Sequence, residues 1–97
     1  MEFDIVLAPE AIEDLKLLPA DVRSTVRDGM ETHLRHEPHK VSKSRIKRLR
    51  GLSKPQYRLR IGDIRVFYDV AGSSVQVLAI VHKPKTELWL KRHGVPK

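Results

Sequence analysis

Apolar and polar residues alternate along residues 57–70, and this pattern predicts β-strands. Gly62-Asp63 separates the two alternating runs. Two such runs joined by two residues, with glycine first, predict a β-hairpin closed by a type II′ turn. The turn sets Arg60 opposite Arg65 and gives the hairpin one apolar and one basic side, because side chains alternate between faces along a strand. The apolar side comprises Tyr57, Leu59, Ile61, Ile64, Val66 and Tyr68.

Upstream of the hairpin, the pattern predicts a short strand and two helices. Phe3 to Leu7 alternate in the manner of a strand. Apolar residues then recur at helical spacing from Pro9 up to Pro19, and again from Val22 to Leu34 before Pro38. Asp21 is the expected cap of the second helix. The short connection between the helices predicts an antiparallel helical hairpin.

Downstream of the hairpin, residues 75–82 predict a strand and residues 84–92 a closing helix, with Gly94 just beyond its end. If Val70 pairs with Val75, Ala79 and Val81 extend the apolar side. In that register Leu78, Ile80 and His82 lie on the basic side with the arginines.

Together these elements predict one α+β domain over residues 1–97. We expect an antiparallel sheet of about four strands, with the N-terminal helical hairpin packed on its apolar face and a short C-terminal helix.

The charge is distributed unevenly along the chain. The net charge is +7, but residues 1–39 contain nine acids and four bases, and residues 40–97 contain fifteen bases and three acids. This asymmetry indicates a polyanionic partner for the second part. The absence of cysteine excludes a disulfide framework and a zinc ribbon. With no signal peptide and no apolar run of membrane length, we expect a cytoplasmic protein.

The basic segment that precedes the hairpin has two interpretations. It is either a solvated loop or part of one basic surface continuous with the hairpin, and its position directly before the hairpin favours the second. Its candidate RNA-binding residues are Lys43, Arg45, Lys47, Arg48 and Arg50. Three histidines, at positions 33, 36 and 39, precede this segment, but Pro38 interrupts their spacing. They favour a surface role near a helix end over a metal site.

Arg58, Arg60 and Arg65 are the principal candidate site residues. Like charges facing each other weaken a hairpin. Guanidinium groups on a firm sheet, however, bind phosphate well through their planar arrays of donors. The alternative is an ordinary solvated face with the side chains splayed apart. On the repulsion argument, replacing Arg65 by alanine is expected to leave stability unchanged or higher.

The chain resembles the RelE/ParE toxin superfamily. The resemblance is carried by Lys47-Arg48-Leu49-Arg50-Gly51, by residues 57–70 and by residues 77–83, and it extends over nearly the whole chain. It implies the fold described above. RelE-type members cut messenger RNA on the ribosome, whereas ParE-type members inhibit DNA gyrase by protein–protein binding.

The resemblance also implies roles for individual residues. In the RelE-type reaction a ribose 2′-hydroxyl attacks the adjacent phosphate. Arg58 and Arg60 match the basic strand residues of that type, and Arg65 matches its phosphate-stabilising arginine. His82 and Lys83 occur where relatives carry a His-Arg pair, although His82 also suits a plain strand end. A tyrosine of active relatives is replaced nearby by Trp89, which either stacks on a base or packs the last helix.

Three functions remain open at this point. The first is a type II toxin that cleaves messenger RNA, the second is a gyrase inhibitor, and the third is a non-catalytic member. By resemblance the partners are the ribosome with messenger RNA and an acidic, partly disordered antitoxin. Operator DNA is expected to be bound only through the antitoxin complex. The resemblance implies no cofactor and no metal.

Overall fold

The structure is a computed structural model that describes residues 1–97. In chain order the elements are β1 (Asp4–Leu7), α1 (Pro9–Lys16), α2 (Ala20–Leu34), β2 (Ile46–Arg48), β3 (Leu52–Lys54), β4 (Tyr57–Ile61), β5 (Ile64–Ala71), β6 (Ser74–His82), a 3₁₀ turn (Lys83–Lys85), α3 (Thr86–His93) and β7 (Val95–Pro96). The hairpin predicted from the alternating pattern is β4 and β5, and it lies inside a five-stranded sheet of order β1-β6-β5-β4-β2. The α+β class is therefore confirmed. None of the three helices has the length and apolar character of a membrane span.

The register of β4 and β5 is the predicted one. Ile61 pairs with Ile64, Arg60 with Arg65 and Tyr57 with Tyr68. Gly62 has a φ of 57°, which a glycine adopts without strain and which the first position of a type II′ turn requires. The turn therefore fixes which residues face the core.

The sheet contains five strands where about four were expected, and it is not wholly antiparallel. β1 lies at the edge and runs parallel to β6, with Ile5 opposite Val75. A second, two-stranded sheet joins β3 to β7, with Leu52 opposite Pro96. This small sheet anchors the C-terminus beside the loop that precedes β4.

The helical hairpin covers the apolar face, as predicted. The core contains Phe3, Ala11, Leu15, Leu18, Val26, Met30, Leu34, Ile46, Leu59, Ile61, Ile64, Val66, Tyr68, Val75, Val77 and Ile80. α2 approaches β4 closely at Gly29, where an added Cβ would lie 2.6 Å from Ile61 Cδ1. The prediction that Asp21 caps α2 is wrong, because Pro19 occupies the cap position and Asp21 lies in the first turn of the helix.

The predicted register of β5 and β6 is correct only at its first end. Val70 pairs with Val75 and Tyr68 with Val77, but the register shifts between Phe67 and Tyr68. Beyond that bulge the pairs are Phe67 with Ala79, Val66 with Ile80, Arg65 with Val81 and Ile64 with His82. A bulge adds one residue to a strand and exchanges the faces beyond it.

The exchange corrects four assignments. Ala79 lies on the basic side, opposite Phe67, and not on the apolar side. Ile80 belongs to the core and not to the basic side, and Val81 takes the place beside Arg65. His82 lies on the helix side, where it lines a cleft with Asp21 and Ile64. The carboxylate of Asp14 on α1 accepts a hydrogen bond from the Ile80 amide at 3.0 Å, which holds the strand immediately after the bulge.

The closing helix packs on the side of the sheet opposite to α1 and α2. The Trp89 ring on α3 stacks on Phe67, with ring centroids 4.9 Å apart and an interplanar angle of 6°. Gly94 follows α3 with extended dihedral angles rather than the left-handed ones expected for a helix-terminating glycine. Glycine is instead required at this position because the Cβ of any other residue would lie 2.5 Å from the Leu90 carbonyl oxygen.

Candidate functional site

The arginine face is the side of the sheet that points away from α1 and α2, and it consists of Lys47, Arg58, Arg60 and Arg65. The strand register places these residues in two adjacent rows. One row runs from Lys47 to Arg58 and on to Phe67, and the other joins Arg60, Arg65 and Val81. The predicted gathering of three arginines on one sheet surface is therefore present.

No carboxylate forms an ion pair with the three arginines, and the pKa values of two of them, Arg58 and Arg65, are lowered. The pKa of Arg58 is lowered by burial and then by the charges of Arg65 and Arg60. Burial and the charge of Arg60 also lower the pKa of Arg65, against a smaller opposing effect of Asp63. The ion pairs of the structure all lie elsewhere, at Lys16–Glu13, Arg35–Glu31 and Lys40–Glu37. The arginine face is therefore an uncompensated positive surface.

The three arginines differ in how much of each side chain is free. Arg60 is exposed to solvent. Arg58 is half-buried, and its Nε is buried without a hydrogen-bond partner. Arg65 is only 6% exposed, and its Nη1 donates to the carbonyl oxygens of Gly62 at 2.8 Å and Ile64 at 3.1 Å. Arg65 thus braces its own turn, while its Nε and Nη2 donate to no protein atom.

The last helix borders the arginine face. Phe67 is 1% exposed because Trp89 covers it. The other side of the Trp89 ring meets His93, at a centroid distance of 5.2 Å and an angle of 34°. Trp89 therefore packs the helix, and its ring offers no free face for a base in this conformation.

His82 and Lys83, at the end of β6, have different neighbours in the structure. His82 pairs with Ile64 and therefore lies on the helix side of the sheet, on the face opposite to Arg65. The Lys83 amide donates to the Asp63 carbonyl at 2.7 Å, so Lys83 adjoins the hairpin turn. Of the two, only Lys83 is joined to the turn that Arg65 braces.

The basic segment before the hairpin is divided between surfaces. Lys43 and Arg50 are exposed loop residues. Arg45 is exposed and donates from Nη1 to the Arg60 carbonyl at 3.1 Å. Arg48 turns to the other side of the sheet, where its guanidinium lies 5.2 Å from the Tyr57 ring centroid and donates to the Gln56 carbonyl. Lys47 alone joins the arginine face.

The three histidines do not form a cluster, and no group of three or more histidine, aspartate or glutamate side chains is arranged as metal ligands. His39 packs edge-on against Phe3 and Tyr57. The pKa of His33 is lowered by burial and by the charge of Arg45.

Known proteins share the family and the fold of this chain. Residues 5–85 match the family model described as the ParE toxin of the type II toxin–antitoxin system parDE. The chain belongs to this family, within the RelE/ParE superfamily of type II toxins. Among curated proteins, no sequence matches this chain.

Solved structures share the fold. A doubly substituted mutant of the E. coli toxin RelE in the free state is 19% identical and has a TM-score of 0.70, with 96% of this chain and 99% of that chain covered. The RelB–RelE antitoxin–toxin complex of Methanococcus jannaschii is 21% identical, with a TM-score of 0.66 and coverages of 87% and 96%. The archaeal RelE–RelB complex of Pyrococcus horikoshii OT3 is 25% identical, with a TM-score of 0.64 and coverages of 86% and 97%.

Proposed function

We propose that this toxin is a ribosome-dependent endoribonuclease that cleaves messenger RNA at the arginine face. The observation that carries the proposal is the set of three neighbouring guanidiniums without a carboxylate partner. Such a surface is unfavourable for the folded chain alone. It becomes favourable when a phosphate backbone neutralises it.

The proposed reaction is attack of a ribose 2′-hydroxyl on the adjacent phosphate. The attacking oxygen forms a bond to phosphorus, the 5′-oxygen of the next nucleotide leaves, and a 2′,3′-cyclic phosphate and a 5′-hydroxyl result. Negative charge accumulates on the phosphorane in between, and preorganised donors stabilise such charge strongly. Arg58, Arg60 and the free nitrogens of Arg65 are the donors of this face.

The arginines act here by positioning and charge stabilisation. Arginine is a poor general base, since its ordinary pKa lies far above neutral pH and the side chain stays protonated. His82 is not used, because it lies on the other side of the sheet. Lys83, which adjoins the turn next to Arg65, is the remaining candidate for proton transfer.

A second candidate function is gyrase inhibition by protein–protein binding. It is favoured by one specific observation: the arginine face contains no histidine to exchange a proton near neutral pH, since His82 points elsewhere. A gyrase inhibitor needs no such group.

Induced expression separates the two functions. We expect protein synthesis to stop soon after induction while plasmid supercoiling persists, and Arg60→Gln to relieve the arrest. Arg60 is exposed, so the change removes a charge without disturbing the core. Arg27→Gln is the matched control, because Arg27 is also exposed but lies on α2, behind the sheet. Loss of supercoiling with continuing protein synthesis would contradict the endoribonuclease proposal.

We further propose that a cognate antitoxin neutralises the toxin. The structural relatives include toxin–antitoxin complexes from Methanococcus jannaschii, Pyrococcus horikoshii and Mycobacterium tuberculosis. An acidic, partly disordered chain would complement the arginine face and fold as it binds. Co-expression with the adjacent reading frame should restore growth and yield a stable complex. A neighbour that neither binds nor restores growth would contradict this assignment.

A further inference from the structure

A polar pocket of about 300 Å³ lies at the β2 edge of the sheet, between the end of α2 and the loop that leads to β2. Ile46 is its one apolar lining residue. Its polar lining consists of Thr32, His33, Glu37, Lys40, Ser42 and Arg45. The chemistry of this lining is that of a site for a small anion.

Ser42 lines the pocket, and its hydroxyl group donates to no acceptor within the protein. Its Oγ accepts hydrogen bonds from the amides of Arg45 at 3.0 Å and Ile46 at 3.2 Å. Those two bonds use the oxygen lone pairs, so the hydroxyl group retains only its donor capacity. No acceptor in the protein receives that hydrogen. An anion oxygen would supply the missing partner.

The charges of the pocket favour an anion. Its one carboxylate, Glu37, lies 3.5 Å from the Lys40 ammonium group and is therefore already compensated. The guanidinium of Arg45 uses only Nη1 within the protein. The positive field of Arg45 is felt at His33, where it adds to burial in lowering the pKa of the imidazole.

The pocket is connected to the arginine face through main-chain and side-chain contacts. Arg45 Nη1 donates to the Arg60 carbonyl at 3.1 Å, and the Arg60 amide donates to the Arg45 carbonyl at 2.8 Å. The two residues are held together across the sheet edge, one presented to the pocket and the other to the arginine face. A nucleic-acid strand that crosses the arginine face towards β2 therefore meets this pocket next.

From this geometry we propose that the pocket is a second phosphate subsite, which binds one phosphodiester group of the RNA strand held on the arginine face. The proposal rests on the proposed function for the identity of the strand. The pocket holds the strand outside the place of cleavage, so it contributes affinity and alignment.

The test uses the full chain and a 2′-O-methylated oligoribonucleotide, which lacks the attacking hydroxyl and stays intact. Fluorescence anisotropy is measured over a range of salt concentrations. Loss of one phosphate contact lowers the slope of log K against log salt by about 0.7 for a single strand. We expect this reduction for Arg45→Gln and several-fold weaker binding for Ser42→Ala, whereas Arg27→Gln retains the wild-type slope. Wild-type affinity and slope in both pocket variants would overturn the proposal.

A second measurement examines the pocket independently of RNA. The His33 imidazole signals are followed by NMR during a titration with inorganic phosphate against a chloride control. We expect a saturable shift in the wild type that Arg45→Gln abolishes. Absence of the shift would overturn the anion site itself. A shift with phosphate, together with no binding of the oligoribonucleotide, would overturn the phosphodiester assignment while retaining a free-phosphate site. The proposed function is tested separately, by cleavage of ribosome-bound messenger RNA.

Discussion

Replacing Arg65 by alanine should destabilise the protein, although repulsion between like charges predicts the opposite. Arg65 is 6% exposed, and its Nη1 donates to two carbonyl oxygens, at Gly62 and Ile64. Hydrogen bonds to charged groups contribute roughly 1.5–3 kcal/mol each. Because one nitrogen makes both bonds, we count about 3 kcal/mol for the two together.

Two effects offset part of that contribution. Removing the repulsion between Arg65 and the directly opposed Arg60 stabilises the variant by at most about 1 kcal/mol. Burial, which lowers the pKa of Arg65, also disfavours its charged form, and the variant escapes that penalty. The expected net effect is a loss of about 1–2 kcal/mol in the free energy of unfolding.

Arg60→Ala is the matched control. The two arginines face each other, and both variants sacrifice the same intrinsic strand preference. Arg60, however, is exposed, and its side chain donates no hydrogen bond within the protein. Removing it takes away only the repulsion, so stability should stay within about 0.5 kcal/mol of the wild type, as for ordinary surface substitutions.

Urea unfolding measures both variants. Trp89 is the single tryptophan and stacks on Phe67, so its fluorescence follows the loss of tertiary packing, and circular dichroism supplies a second probe. A lower midpoint at unchanged m-value for Arg65→Ala alone is the expected result. If Arg65→Ala equals or exceeds Arg60→Ala in stability, the bracing role of Arg65 is wrong.

Three further outcomes are expected. Gly29→Ala should lower the free energy of unfolding, measured in urea, by about 1 kcal/mol, because the added Cβ would lie 2.6 Å from Ile61 Cδ1. Ile61→Val removes that methyl group and should restore stability in the double variant, whereas additive losses would contradict the contact. Burial raises the pKa of Tyr68, whose hydroxyl donates to the Pro38 carbonyl at 2.7 Å. Neutral Tyr68 therefore contributes stability that is fully present below the free-tyrosine pKa of about 10, and this contribution is lost as the pH rises through the higher pKa of the folded state. Tyrosinate absorbance from Tyr68 should accordingly appear only when the protein unfolds. RNA affinity should fall steeply with salt, whereas a flat response between low and physiological salt would indicate a protein target.

The central hairpin was predictable because two independent features agree on one register. Alternation defines the faces, and Gly62 permits the turn that fixes the pairing. The next pairing was not predictable beyond its first residues. A bulge shifts the register by one residue and leaves no mark on composition, and the Asp14 carboxylate that holds the Ile80 amide comes from a helix 66 residues away in sequence.

Very short strands escape sequence analysis for a related reason. β3 and β7 contain three and two residues, too few to show any periodicity. The pattern at β1 predicts a strand but carries no information on its partner, so it does not predict the parallel pairing with β6.

For the candidate site, the clustering of positive charges was predictable, but the contacts that each side chain makes were not. The alternation alone places Arg58, Arg60 and Arg65 on one side of the sheet. It does not reveal that Arg65 braces the turn or that Trp89 already stacks on Phe67, because both depend on contacts made after folding. The bulge precedes His82, so the register inferred from the sequence places this residue on the wrong side of the sheet.

Mapping of RNA ends in a purified translation system is the most direct test of the central claim. The toxin is added to ribosomes that carry a defined messenger RNA, and the new ends are located and characterised chemically. We expect cuts only in ribosome-bound RNA, with a 5′-hydroxyl on the downstream fragment, and a strong loss of cleavage for Arg60→Gln but not for Arg27→Gln. Intact messenger RNA at toxin concentrations that inhibit DNA gyrase would contradict the account.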